Sequence, residues 1–166
     1  MDPSPDLLVR MEPLRMLLGT WRGEGAGRYP TIAPFSYVEE VTFWHAGKPF
    51  LGYEQRTRDA ASGLPLHAES GFWRVVDDVT AAAPAVTIEA VIAHPTGISE
   101  VLTGSCRDGR VDVTTTQVTT TPTAKDVTRV ARHLVVDGDT LTYEVEMAAV
   151  GLPLQHHLAA TLHRVA

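Results

Sequence analysis

Apolar and polar residues alternate along most of this chain, and a period of two marks strands with one buried face. Val38-Glu39-Glu40-Val41-Thr42-Phe43-Trp44-His45 is the first clear run, and Phe50 to Thr57 returns from the turn at Ala46–Pro49. In the run from His67 to Val76, Glu69, Gly71 and Trp73 alternate with Ser70, Phe72 and Arg74. Ala85–Ile92 and Ile98–Cys106 flank His94-Pro95-Thr96-Gly97. Arg107-Asp108-Gly109 is a tight-hairpin signal. Arg110 to Thr121 is rich in Val and Thr, which suit a pleated sheet. Val127–Val136 and Thr140–Met147 flank Asp137-Gly138-Asp139, and His157 to Val165 is the last run. Helical spacing occurs once, at Leu7, Leu8, Met11, Leu14, Leu17 and Leu18, where Pro13 splits it into short turns. About nine or ten strands with turn signals every 8–12 residues predict an antiparallel sandwich or barrel. Successive hairpins without a long crossover favour an up-and-down barrel. The expected architecture is all-β: about ten antiparallel strands closed into a barrel, with short N-terminal helical turns. A tail (residues 1–13) would precede one domain (residues 14–166).

Composition narrows the function classes. At 166 residues the chain fits one domain with a real core. Its net charge of −6 argues against a nucleic-acid footprint and against docking on an anionic membrane. Cys106 is the only cysteine, so an intrachain disulfide and a cysteine-built zinc or iron–sulfur site are excluded. A lone thiol fits a reducing cytoplasm. The start of the chain is acidic and proline-rich and does not read as a secretory signal. No apolar run approaches the roughly 18 residues that span a bilayer.

Hydrolase chemistry finds no support. There is no GxSxG nucleophile turn and no HExxH zinc spacing. Glu39 and Glu40 are adjacent, so they point to opposite faces of one strand and do not form an acid/base pair. A ten-stranded barrel leaves an internal pocket, and with only 7% aromatic residues to fill it, a ligand cavity is expected. His94, before Pro95, reads as part of a solvent-exposed turn. His67 shares a strand face with Glu69 and Gly71, which leaves space for a flat ligand; an exposed strand edge is the plainer alternative. The sharpest signal is the histidine pair, His156 and His157, at the start of an apolar strand. A neutral imidazole is the commonest metal ligand and the usual proximal ligand of haem iron. A structural histidine bonded near a barrel mouth would give the same pattern. Strand parity groups His156, not His157, with Leu158, Ala160 and Leu162 on the apolar face.

Leu18-Gly19-Thr20-Trp21-Arg22-Gly23-Glu24-Gly25, the Tyr29-Pro30-Thr31 segment, Pro65 to Arg74, Met147-Ala148-Ala149-Val150 and His157 to Leu162 together resemble the nitrobindins, small haem-binding β-barrels. The GxWxGxG motif (Gly19, Trp21, Gly23, Gly25) is complete. The resemblance implies a ten-stranded barrel holding one haem b at its mouth. In it His157 is the axial iron ligand and catalytic centre, and Thr31 and Lys125 contact the haem. A lysine beside a propionate offers charge-assisted donors. The motif glycines would let the backbone pack close to the haem or close the barrel. The implied activities are isomerisation of peroxynitrite to nitrate at ferric iron and NO binding at ferrous iron. The alternative is a non-catalytic carrier or sensor of haem, NO or another apolar ligand. Choosing His157 over His156 requires the strand to start or bulge there. The distal wall is expected to be apolar, with no distal histidine, and a homodimer through a barrel edge or wall is plausible on this reading.

Overall fold

The computed structural model describes residues 9–76 and 85–165. A 3₁₀ helix (Glu12–Leu17) precedes ten strands: β1 (Gly19–Tyr29), β2 (Ile32–His45), β3 (Leu51–Asp59), β4 (Pro65–Val75), β5 (Val86–His94), β6 (Ile98–Arg107), β7 (Arg110–Thr120), β8 (Val127–Asp137), β9 (Thr140–Ala149) and β10 (Gln155–Arg164). Each strand pairs antiparallel with its chain neighbours, and β1 pairs with β10 to close the ring. The expected up-and-down barrel is therefore observed. Leu7 and Leu8 of the helical pattern lie outside the described residues. Met11, just ahead of Pro13, is already buried in the core.

The interior is layered along the barrel axis. At one end Leu14 and Leu17 of the 3₁₀ helix are fully buried and plug the barrel. They join a core with Trp21, Phe43, Tyr53 and Trp73. The indole Nε1 of Trp21 donates to the Leu17 carbonyl at 2.7 Å, and the Arg164 guanidinium sits 4.0 Å over the indole ring. Arg164 also donates to the Met16 carbonyl at 3.0 Å, so one side chain ties plug, β1 and β10 together. The Cys106 thiol donates to the Pro13 carbonyl, and burial pushes its pKa up to about 11, which leaves it a packing group rather than a nucleophile. Above this core lies a belt of buried polar side chains, Glu39, Gln55, Glu69, Glu100 and Arg132. The other end is the mouth. Its rim is formed by the β1–β2, β3–β4, β5–β6, β7–β8 and β9–β10 connections, because an up-and-down barrel puts alternate loops at the same end.

Two of the motif glycines are explained by closure. A Cβ at Gly23 would lie 2.0 Å from the Thr161 carbonyl oxygen on β10, and one at Gly25 would lie 2.3 Å from the Tyr37 ring. Gly23 lets β1 approach β10, and Gly25 makes room for a ring inside the barrel. On the outer wall Trp44, Phe72, Val91 and Val101 form an exposed apolar row in register across β2 to β6. Trp44 lies flat over Gly52 of β3.

Gly23→Ala should therefore lower stability by about 2 kcal/mol or more, because a backbone carbonyl cannot move aside. Gly27→Ala should cost less, since its Cβ would meet the far end of the Phe35 ring. Urea unfolding midpoints of the two variants check the order.

Candidate functional site at the barrel mouth

His157 stands in a bulge at the start of β10. His156 pairs with Glu146 and Leu158 with Val145, so His157 is an extra residue in its strand. The bulge resolves the parity conflict: Leu158, Ala160 and Leu162 keep the inner face, and His157 is turned independently of them. His156 stands with Ala26, Arg28 and Ser36 around a depression on the outer wall.

The His157 ring is fixed from two sides. Its Nδ1 lies 3.1 Å from the Arg28 carbonyl oxygen. A carbonyl only accepts, so Nδ1 carries the proton and the Nε2 lone pair stays free, without a partner among the described residues. The Tyr29 ring meets the imidazole edge-on at 5.5 Å. Tyr29 is itself anchored, its hydroxyl accepting from the Ala149 amide at 2.9 Å and donating to the Met147 carbonyl at 3.2 Å. Burial lowers the His157 pKa, outweighing the opposing bond to Arg28, so the imidazole is neutral. A neutral imidazole with Nδ1–H tied to a backbone carbonyl and Nε2 free is the arrangement a metal-ligating histidine needs. Around it Tyr29, Val127, Val130, Val145 and Ala149 form an apolar cluster, joined by Ile98, Val118, Met147, Leu152 and Leu158. A neutral, oriented imidazole at the edge of an apolar mouth fits haem.

The other expected haem contacts stand at the rim. Thr31 is exposed in the β1–β2 turn, and Lys125 is exposed in the β7–β8 loop. Gly19 and Trp21 lie at the plugged end, and Gly23 and Gly25 further along β1. Gly23 and Gly25 serve closure and packing of the barrel and Trp21 packs the plugged end, so the motif's explained roles lie away from His157.

The wall opposite His157 corrects two expectations. β4 and β5 lie four and five strands from β10 in the closed ring, nearly across the barrel. His94 ends β5 with its side chain only 8% exposed, so it is no solvent turn residue. Its Nδ1 lies 2.9 Å from His67 Nε2 and its Nε2 2.8 Å from Glu100 Oε1. His67 is thus an inward, half-buried residue rather than an exposed strand edge, and this wall is polar where an apolar one was expected. A Pro95 neighbour hid His94, yet the parity of Ile92 and His94 on one strand face was a signal that could have found it.

The polar belt supports that wall. Arg132 donates to Glu69 at 2.8 and 3.1 Å and to Glu100 at 3.0 and 2.9 Å, and Tyr53 donates to Glu69 at 2.9 Å. Burial is the largest single effect and pushes both carboxyls up, but the Arg132 guanidinium and the histidines together outweigh it: Arg132, His67 and His94 hold Glu69 well below, and Arg132 and His94 hold Glu100 below, the usual carboxylate range. Glu39 lies outside that grip. It accepts from Tyr143 at 2.6 Å and Gln55 at 2.8 Å, and burial still pushes its carboxyl up to about 7.

The profile of the THAP4-like, heme-binding beta-barrel domain matches residues 10–164. The chain belongs to this nitrobindin family. Among curated relatives, a Mycobacterium avium protein named peroxynitrite isomerase 2 is 52% identical over 98% of this chain and 97% of its own length. The M. ulcerans protein of the same name is 51% identical over the same shares. The crystal structure of Rv2717c from M. tuberculosis superposes with a TM-score of 0.87 at 45% identity, covering 99% of this chain and all of that one. This nitrobindin thus shares its haem-binding barrel over nearly the whole chain, which makes the apolar mouth beside His157 the place to look for the haem. No helix among the described residues is long and apolar enough to cross a membrane.

The belt carries a pH signature. The folded state holds a proton on Glu39 up to about pH 7, while the unfolded chain releases it near its ordinary value of 4.5. Between these values the native state binds more protons, so stability falls as pH rises through the window. Glu39→Gln should abolish that decline, and the wild-type-minus-variant difference should reach at most about 3 kcal/mol by pH 7. Urea titrations at half-unit pH steps from 4.5 to 7.5 measure it.

Proposed function

We propose that this protein is a haem b-dependent peroxynitrite isomerase that binds one haem per chain with His157 as axial iron ligand. The observation that carries the reading is the bulged His157, with Nδ1–H on the Arg28 carbonyl, an unpartnered Nε2, and an apolar mouth around it. The names of the full-length relatives support the reaction assignment. When bound, the haem supplies an iron centre at which peroxynitrite rearranges to nitrate in the ferric state and NO binds in the ferrous state. Peroxynitrite and nitrate are isomers, so turnover needs no reductant or co-substrate.

The chain's own residues do the rest. His157 offers Nε2 to the metal, and the Arg28 carbonyl strengthens it as a donor. Tyr29 holds the ring's orientation through its bonds to β9. Val127, Val130, Val145 and Leu158 exclude water from the buried face of the pocket. Lys125 and Thr31 at the rim would contact the haem, the lysine ammonium offering charge-assisted donors to a propionate carboxylate. The reaction suits a cytoplasmic protein that meets peroxynitrite by diffusion.

Haemin titration of wild type, His157→Ala and His156→Ala tests the ligand. Wild type and His156→Ala should develop a Soret band at one haem per chain, and His157→Ala should lose it. Lys125→Ala and Thr31→Ala should each weaken haem affinity by about two- to tenfold, in line with single partly exposed hydrogen bonds. In stopped-flow decay, haem-loaded wild type should accelerate peroxynitrite loss with nitrate as product, and His157→Ala should not. A wild type that binds no haem but binds a fluorescent fatty-acid analogue would make the protein an apolar-ligand carrier instead.

A further inference from the structure

We propose that His67, His94 and Glu69 form a second metal site, for a divalent transition-metal ion of the zinc type, on the wall facing His157. It is independent of the haem reading, because none of its groups takes part in holding His157.

The geometry is that of a site. His67 Nε2 and His94 Nδ1 are 2.9 Å apart, and they lie 3.7 and 3.6 Å from Glu69 Oε1. The point equidistant from these three atoms is about 2.0 Å from each, the length of a zinc bond to imidazole nitrogen or carboxylate oxygen. A tetrahedron with bonds of about 2.0 Å has edges of about 3.3 Å, so the imidazoles must part, and Glu69 Oε1 must close in on both, by a few tenths of an ångström, with the fourth corner open. Access is available: the His67 side chain is 31% exposed, whereas those of His94 and Glu69 are 8% and 6% exposed. Two imidazoles and one carboxylate are a borderline donor set that suits zinc and its first-row neighbours better than calcium or magnesium.

The surroundings are built for the same purpose. The remaining nitrogen of His94 is held by Glu100 at 2.8 Å, the carboxylate–histidine support that fixes the tautomer and leaves Nδ1 its lone pair. Glu69 is positioned through its other oxygen by Tyr53 and Arg132, while Oε1 takes one further bond from Arg132 at 3.1 Å and keeps a lone pair. Two carboxylates face one guanidinium, so the buried cluster carries one net negative charge with the histidines neutral. A divalent cation offsets that charge. In its absence, a proton on His67 Nε2 bridges to His94 Nδ1 and occupies the same gap.

The test is zinc titration against a chromophoric chelator, with haem-free and haemin-loaded protein side by side. Cobalt binding to haem-free protein, read from its visible ligand-field bands, reports the coordination. The expected result is one zinc ion per chain at micromolar concentration. His67→Ala and His94→Ala should each weaken it by at least about tenfold, and Glu100→Gln, which removes outer support, by about tenfold. His157→Ala should bind zinc as wild type does while losing haem, so failure of this site and failure of the haem assignment are distinguishable. Absence of stoichiometric zinc in wild type would overturn the proposal and leave a proton-bridged histidine pair. So would binding that survives His67→Ala, the partly exposed position whose replacement is tolerated if the buried His94 variant does not fold.

Discussion

The closure of β1 on β10 is the constraint on which the rest of this molecule depends. An open ten-stranded sheet would expose two edges of unpaired backbone groups, and closure removes both. The join runs in register from Trp21 opposite Arg164 to Gly27 opposite Leu158. It works because β1 carries glycine where a Cβ would strike the β10 backbone. Two ends of the chain with no local reason to meet become neighbours. At one end of the join Arg164 clamps Trp21 and the N-terminal plug. At the other, the Arg28 carbonyl reaches the bulged His157 and sets its tautomer.

The second organising feature is the burial of charge in the middle of the barrel. Arg132 serves two carboxylates at once, and Glu69 and Glu100 in turn hold Tyr53 and His94. Removing one partner from such a cluster strands the others without solvent, typically at about 3–5 kcal/mol. The belt also separates two environments. Below it aromatic rings fill the barrel; above it the mouth keeps an apolar wall near His157 and a polar one at His67 and His94. The contrast between Glu39 and Glu69 shows how local this control is. Both are buried carboxylates within one belt, yet direct ion pairing with Arg132 lowers Glu69, while Glu39, bonded only by neutral donors, is raised.

The bulge at His157 joins fold and function. In a regular strand either His156 or His157 would face inward with Leu158 or with Ala159, but not independently of them. The extra residue frees His157 from that choice. Tyr29 then packs against the ring from a neighbouring strand, so the imidazole's orientation is set by groups on β1 and β9 rather than by β10 itself.

Alternation, turn residues and consecutive hairpins determined the ten strands and the up-and-down order, because each depends on residues close together in the chain. The GxWxGxG motif and the histidine before Leu158 marked the family and the proposed iron ligand. Parity alone pointed to His156, since a bulge leaves no trace in the periodicity it interrupts. Low aromatic content pointed to a ligand cavity but could not say where it lies, because it does not reveal that Trp21, Phe43, Tyr53 and Trp73 gather at one end. The polar wall was legible only in pieces, such as the shared strand face of His67 and Glu69, since its members His67, Glu69, His94, Glu100 and Arg132 come from β4, β5, β6 and β8. His67, His94 and Glu100 meet on adjacent hairpin strands, and the curvature of the barrel brings Arg132 of β8 across to Glu69 and Glu100. Local sequence fixes which way each side chain points along its own strand, while distances across the barrel are set by strand number, register and closure, which belong to the tertiary structure.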